Sequence, residues 1–288
     1  MLRSLTSAVS GLQNFQSQMD VIGNNIANVN TTAFKGARTE FADSFSETLR
    51  SSSGSNASSS GSASVQIGSG VTTSAIRNLQ TQGALQKTGL PTDLSVVGNG
   101  FFMVKDPVSS QLYATRAGDF SIDQNGYLTT SSGQRVQGFS DSALATRGDI
   151  KIDLTGLPAT SDPNAQMLSY AIDGEGKINM SLSDGTEFIR GQVLLQNFSD
   201  PEGLVKEGNN LFSGIAAAGP LGGGATPLSQ PAGTNGMGKV QAGALELSNV
   251  DLANEFANLI TTQRAYQATA RMITTSDEIL QELVNLKH

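Results

Sequence analysis

The chain contains no cysteine and no tryptophan, and its one histidine is His288. Without cysteine there is no disulfide and no thiolate chemistry, and the usual clue to redox compartment is missing. A single histidine leaves no His-based triad and no multi-histidine metal site. Aromatic residues make up 6% of the chain, so its core is expected to be thin and built of small residues. Positive charge is short as well. The 18 Lys and Arg stand against 25 Asp and Glu, a net charge of -7, with no basic cluster to face phosphates, and nucleic-acid binding is not expected. No apolar run approaches the roughly 20 residues that span a bilayer, so membrane insertion is not expected either. Arg3 is followed by Ser, Thr, Gln and Asn rather than by a continuous apolar segment, which is not the pattern of a secretory signal peptide. Such a chain is cytoplasmic by default.

Charge is also missing from the first helix. Between Met1 and Thr32 only Arg3 and Asp20 are ionic, and the polar face is Ser, Thr, Gln and Asn. A solvated helix of this length normally carries charged pairs outside. Uncharged polar groups can bond to a protein neighbour without the desolvation cost of an ion, so this face is expected to meet protein.

What is present is a pair of matched apolar stripes. Leu5, Ala8, Leu12, Phe15, Met19, Ile22, Ile26 and Val29 are spaced by three and four, the repeat of one helix face and of a coiled-coil seam. At the other end Leu252, Phe256, Leu259, Tyr266, Ala270, Ile273, Leu280 and Val284 keep that repeat, with Gln263 and Asp277 as lapses. A lone helix with one apolar stripe is marginal in water, so the two ends are expected to pair.

Between them the first helix is predicted to end near Asn28–Asn30, because clustered Asn side chains compete for backbone bonds. Ala37, Phe41, Phe45 and Leu49, spaced by four, suggest a short helix. Residues 51–64 are nearly all Ser, Gly, Asn and Ala and read as a mobile loop. From Val65 to Phe212 the pattern is strand-like. A hairpin is predicted at Gly98-Asn99-Gly100, and a second across Asp123-Gln124-Asn125-Gly126. Turns are expected at Asp173-Gly174 and Asp184-Gly185, with alternating strands at Ile150–Leu154 and Ile178–Leu182 and an apolar strand at Gly191–Phe198. Residues 214–238 read as a long surface loop. Ser248, Asn249 and Asp251 are natural caps for the last helix.

The fold expected is α+β: N- and C-terminal helices paired as a coiled-coil-like domain, with a mainly antiparallel β domain inserted between them. The expected division is 1–34 plus 246–288 for helical assembly, 35–75 as an extended connector, and 76–245 as the β domain. No catalytic constellation stands out. Asp119, Asp123 and Asn125 miss the spacing of a calcium loop, which wants Gly at its sixth and Glu at its twelfth position. No Gly-rich phosphate loop links a strand to a helix, and neither a cofactor nor a metal is expected.

The segment Asn24-Asn25-Ile26-Ala27-Asn28-Val29-Asn30-Thr31-Thr32-Ala33-Phe34-Lys35 resembles the N-terminal signature of bacterial flagellar rod and hook proteins, with Asn24, Asn25, Ala27, Asn28, Thr32 and Phe34 as the matching positions. Gly23 and Ala33 stand where that signature usually has Ala and Gly. Gly243–Leu252 and Gln263–Ala268 are similar to the family's second signature. Asp93–Val96, Gly98–Phe102, Tyr113–Arg116 and Gly118–Phe120 match its middle region. Within the family, Ser7–Gln16 and Ile273–Lys287 look most like the hook members in their short form, and distal-rod members are the alternative.

The resemblance implies a non-enzymatic structural subunit of a helical tube that couples rod to filament and transmits torque. It implies an exported chain assembled outside the cell, against the cytoplasmic default. Its implied partners are further copies of itself, other axial proteins (rod, hook–filament junction and hook cap) and the flagellar type III export apparatus. The assembly seam is then expected to be Leu5, Leu12, Phe15, Met19, Ile22 and Ile26 with Leu252, Phe256, Leu259, Tyr266, Ile273 and Leu280. Head-to-tail contacts that do not close into a ring give an open filament. Two rival classes, a β-domain hydrolase on a helical stalk and a surface adhesin, lack respectively convergent titratable groups and a need for matched ends.

Overall fold

The computed structural model describes residues 2–52, 54, 60–157, 162, 165–222 and 229–286. The chain divides into two compact units, one of Met1–Asn28, Gly36–Leu79 and Val250–His288, the other of Val29–Lys35 and Gln80–Asn249. The architecture is α+β, with a helix at each end and mainly antiparallel strands between them.

The first unit holds α1 (Leu2–Ala27) and α2 (Leu252–Asn285). Asp251 caps α2, its carboxylate accepting from the Ala253 amide at 2.9 Å. The predicted short helix at 37–50 is absent. Those residues form β1 (Ala37–Asp43) and β2 (Ser46–Arg50), which pair with β4 (Val71–Asn78) and β3 (Val65–Gly68) respectively. A spacing of four keeps side chains on one face of a strand as well as of a helix, so Phe41, Phe45 and Leu49 fit both. Tertiary pairing decided for the strand. Of the Ser-rich loop, residues 53 and 55–59 lie outside the described residues.

The second unit is built on an antiparallel sheet with twelve strands among the described residues. Its central strand Phe101–Lys105 is covered on both faces, which is why it reads as an unbroken apolar run rather than an alternation. Phe102 and Val104 face one core with Leu94, Phe120, Val136 and Val193; Phe101 and Met103 face another with Phe198, Leu204 and Phe212. Edge-on phenylalanine pairs fill both layers, Phe102 with Phe120 at 5.2 Å and Phe101 with Phe198 at 5.5 Å between centroids. The core is therefore not thin and small: it is mainly Leu, Ile, Val and Met, with Phe101, Phe102, Phe120, Phe198 and Phe212 set among them.

The turn at Asp123–Gly126 forms as expected, with Leu128 opposite Ile122 and the Asp123 carboxylate accepting from the Asn125 and Tyr127 amides, both at 2.8 Å. Lys177–Leu182 alternates cleanly between buried and half-buried. Gly98-Asn99-Gly100 is not a hairpin. Leu94–Val97 pairs with Lys239–Ala242, while Phe101–Lys105 pairs with Leu112–Thr115. Gly98 and Gly100, with φ of 106° and 137°, take the chain out of one sheet and into the other. The segment 214–238 is more than surface loop: Gln230–Pro231 joins the sheet, and Ala218, Ala232 and Met237 are buried. Residues 223–228 of it lie outside the described residues.

Candidate functional site

In the first unit the helices run antiparallel. Gly11 lies against Thr269, whose methyl would stand 3.7 Å from a Cβ placed there, and Asn25 bonds to Glu255. On α1, Ala8, Gly11 and Ile22 are buried, and Leu5, Leu12, Phe15, Met19 and Ile26 are half-buried. On α2 the stripe toward α1 is Glu255, Leu259, Thr262, Tyr266, Thr269, Ile273, Ser276 and Leu280, and Thr262 is its most buried member. Leu259, Tyr266, Ile273 and Leu280 are half-buried. Leu252 and Phe256 do not join them, being 39% and 50% exposed. Small Thr and Ser alternate with the large residues along this stripe, and one of them, Thr269, lies opposite Gly11.

Large apolar side chains are left exposed on two different flanks of α2: Leu252, Phe256 and Ile260, spaced by four near its start, and Met272, Ile279 and Leu283 further along, about half a turn round the helix.

The uncharged polar face of α1 meets protein, as its composition suggested. Asn14 donates to the Val71 carbonyl at 2.8 Å and accepts from the Thr73 hydroxyl at 2.6 Å. The Ser10 hydroxyl sits so close to Gly70, at φ 123°, that a Cβ there would collide with it. Asn25, 2% exposed, bonds both backbone groups of Ala37. Asn24 is exposed, and its carbonyl accepts from Asn28 Nδ2 at 3.0 Å; Ala27 is exposed.

The rest of the signature belongs to the second unit. The Thr32 carbonyl accepts from Asn210 Nδ2 at 2.7 Å. Phe34 is buried beneath Lys206, whose ammonium lies 4.5 Å from the ring centroid and donates to the Lys35 carbonyl at 2.7 Å. Burial lowers the Lys206 pKa. Lys35 has a fully buried side chain, its ammonium 2.6 Å from Glu246 Oε1 and 2.8 Å from the Thr81 carbonyl. Glu246, equally buried, also accepts from the Gly83 amide at 2.9 Å and from Arg116 Nη1 at 3.2 Å. Arg116 Nη2 in turn donates to the Gly98 carbonyl at 2.6 Å. Burial outweighs Glu246 and lowers the Lys35 pKa.

Reading the sequence for seams and catalysts missed this ion cluster, although the signal was there. Lys35 is the one charge in its signature segment, and Arg116 and Glu246 stand in the matched segments Tyr113–Arg116 and Gly243–Leu252. Among the described residues no group of three or more His, Asp or Glu could hold a metal, and no helix is long and apolar enough to cross a membrane.

Sequence comparison matches three profiles along the chain: "Flagella basal body rod protein" at residues 5–35, "Flagellar hook protein FlgE/F/G D1 domain" at 95–185, and "Flagellar basal body rod FlgEFG protein C-terminal" at 241–286. Among similar proteins, the flagellar basal-body rod protein FlgG of Bacillus subtilis is 41% identical over 287 residues, covering 100% of both chains. FlgG of Borreliella burgdorferi is 34% identical, covering 100% of this chain and 99% of its own. The flagellar hook protein FlgE of Borreliella burgdorferi is 27% identical in an alignment of 450 residues that covers both chains entirely. With both end signatures built into the fold and full-length relatives at this identity, the chain belongs to the FlgE/F/G family of flagellar axial structural proteins.

Proposed function

We propose that this chain is the distal-rod subunit of the flagellar basal body, a non-enzymatic protein that polymerises into a rigid tube carrying torque. The observation that supports the rod over the hook is the end-to-end match to rod proteins of nearly equal length. The match to a hook protein stretches over 450 positions for this chain of 288 residues. The sequence features favouring the hook lay in the terminal helices, which the family shares, and so discriminate poorly.

Polymerisation gives the exposed stripe of α2 a role. Leu252, Phe256 and Ile260 are large apolar groups, spaced by four along α2, that no described residue of the chain covers. In a helical assembly a heterologous contact with further copies of the chain covers such a stripe in every subunit. The seam residues of α1 and the half-buried residues of α2 then hold each subunit's ends together, while the outer stripe joins subunits. Further partners in this reading are adjoining axial proteins and the flagellar type III export apparatus. The place of action is the rod within the envelope, not the extracellular hook.

An epitope inserted in residues 51–64, followed by antibody-gold electron microscopy of isolated hook–basal bodies, tests the assignment. Label along the straight rod is the expected outcome. Label along the curved hook would overturn it and return the protein to the hook.

A further inference from the structure

The β unit is not one continuous length of chain. It takes in Val29–Lys35 and Gln80–Asn249, so every passage between the units runs through residues 28–29, 35–36, 79–80 or 249–250. Within the β unit those ends are tied to one another. The Ala33 amide donates to the Glu246 carbonyl at 2.7 Å, and the Asn249 amide to the Phe34 carbonyl at 3.3 Å. Asn249 Nδ2 donates to the Thr81 hydroxyl at 2.9 Å. Leu85–Lys87 pairs with Ala244–Glu246 in a two-stranded ladder separate from the large sheet. At the middle of these ties sits Glu246 with Lys35 and Arg116.

The same few residues carry the unfavourable features of the unit. Ala33, 1% exposed, has φ 54°, the left-handed region that a Cβ disfavours. Both amide atoms of Gln80 and Nε of Arg116 are buried without a hydrogen-bond partner among the described residues. One carboxylate faces two cations, leaving a net positive charge out of water. The sheet behind has the opposite character, an apolar interior of Phe102, Val104, Val193 and Leu195. Strained and incompletely paired elements lie at the low-stability end of a fold and open first.

We propose that the Lys35–Glu246–Arg116 cluster is a clasp, through which residues 29–35, 80–88 and 243–249 open and close as one element while the large sheet stays folded. Shut, it fixes where all four chain passages leave the β unit. Open, it frees them together without any loss of the β core. This inference holds for a rod or a hook subunit alike.

Charge count makes the clasp testable. Removing Lys35 leaves a neutral Arg116–Glu246 pair. Removing the Glu246 charge leaves two buried cations facing each other. Removing both returns the cluster to one cation. Native-state amide exchange of the full chain, read by mass spectrometry at low urea, separates the clasp segments from strands 101–105 and 187–196. In the parent chain the clasp segments are expected to exchange together, and faster than the sheet. Glu246→Gln is expected to speed their opening roughly tenfold or more while the sheet's exchange stays as in the parent. Adding Lys35→Met to Glu246→Gln is expected to restore most of the protection. Clasp segments that exchange only as fast as the sheet would overturn the proposal. So would loss of sheet protection in step with the clasp, or a double variant as open as Glu246→Gln alone. If Glu246→Gln does not fold, the parent chain and Lys35→Met carry the test: the clasp must still exchange as a unit ahead of the sheet in both, and failure in either overturns it.

Discussion

Asn25 and Ala37 exchange two hydrogen bonds. Asn25 Nδ2 donates to the Ala37 carbonyl at 2.8 Å, and Asn25 Oδ1 accepts from the Ala37 amide at 2.9 Å. The side chain thus stands in for a partner strand at the first residue of β1, and only an amide offers a donor and an acceptor at that spacing. Asn25→Ala leaves two part-buried backbone groups without this partner and is expected to cost about 1–3 kcal/mol. Asn25→Asp keeps the acceptor but sets a carboxylate against a carbonyl, and is expected to be no better at neutral pH. Amide exchange at Ala37 and urea unfolding check both. Full protection of Ala37 in Asn25→Ala would refute the role.

Ala33 occupies a left-handed conformation at φ 54°, which Gly adopts more readily than a residue with a Cβ. The Cβ costs roughly 1–2 kcal/mol there, partly offset by the extra freedom Gly has when unfolded. Ala33→Gly is therefore expected to stabilise the β unit by about 0.5–1 kcal/mol, seen as a higher urea midpoint at unchanged slope. A β-branched residue, Ala33→Val, is expected to shift the midpoint the other way and further.

Two carboxylates of the β unit respond to acid in opposite directions. Asp153 is partly buried, which pushes its pKa up, but bonds from Thr155, Lys151 and Arg190 prevail and hold it well below the usual carboxylate range. Its stabilisation is present above the unfolded pKa and is lost as pH falls through the folded one. Asp119 is the reverse case. Burial raises its pKa, and the neighbouring Asp93, its partner in a β-bridge, adds to the rise. That group favours the folded state when protonated, and the favour is lost as pH rises through its folded pKa. At pH 7, Asp119→Asn is expected to stabilise and Asp153→Asn to destabilise, the latter by about 1–3 kcal/mol since Arg190 loses its carboxylate. Between pH 7 and 3 the Asp153→Asn chain is expected to lose less stability than the parent. Urea midpoints across that range decide it, and parallel curves for parent and Asp153→Asn would exclude the assignment.

Much of this was legible in the chain, and the failures have physical reasons. Apolar period alone placed both helices, and the uncharged face of α1 announced its contacts through Asn14 and Asn25 with β1 and β4. On α2, Leu259, Tyr266, Ile273 and Leu280 are half-buried, and between them stand Thr262, Thr269 and Ser276, positions that a search for apolar side chains passes over. Phe256 drew attention as a seam residue because it is large and in phase, yet it is 50% exposed. The ion cluster escaped because Lys35, Arg116 and Glu246 stand far apart in sequence and only the closed fold brings them together.

The two stripes of α2 make separable predictions. Leu259 is half-buried and faces α1, whereas Phe256 is 50% exposed on the outer stripe. If the inner stripe pairs the chain's ends and the outer one joins subunits, a charge at each position must fail differently. Leu259→Asp places an unpaired carboxylate among apolar side chains, against a transfer cost of several kcal/mol. It is expected to lower the helicity of the monomer and to abolish polymers as a consequence. Phe256→Asp puts the same charge in water in the monomer, so helicity and thermal unfolding are expected to match the parent. Burial of that carboxylate against a neighbouring copy then blocks assembly alone. Circular dichroism of dilute monomer, with sedimentation and electron microscopy at polymerising concentration, reads both effects. In neither variant is the β unit's unfolding expected to change, since its core of Phe102, Phe120 and Val193 lies in other parts of the chain. Normal tubes from Phe256→Asp would show that the outer stripe is not a subunit contact, and normal tubes from Leu259→Asp would remove the paired ends from the assembly altogether.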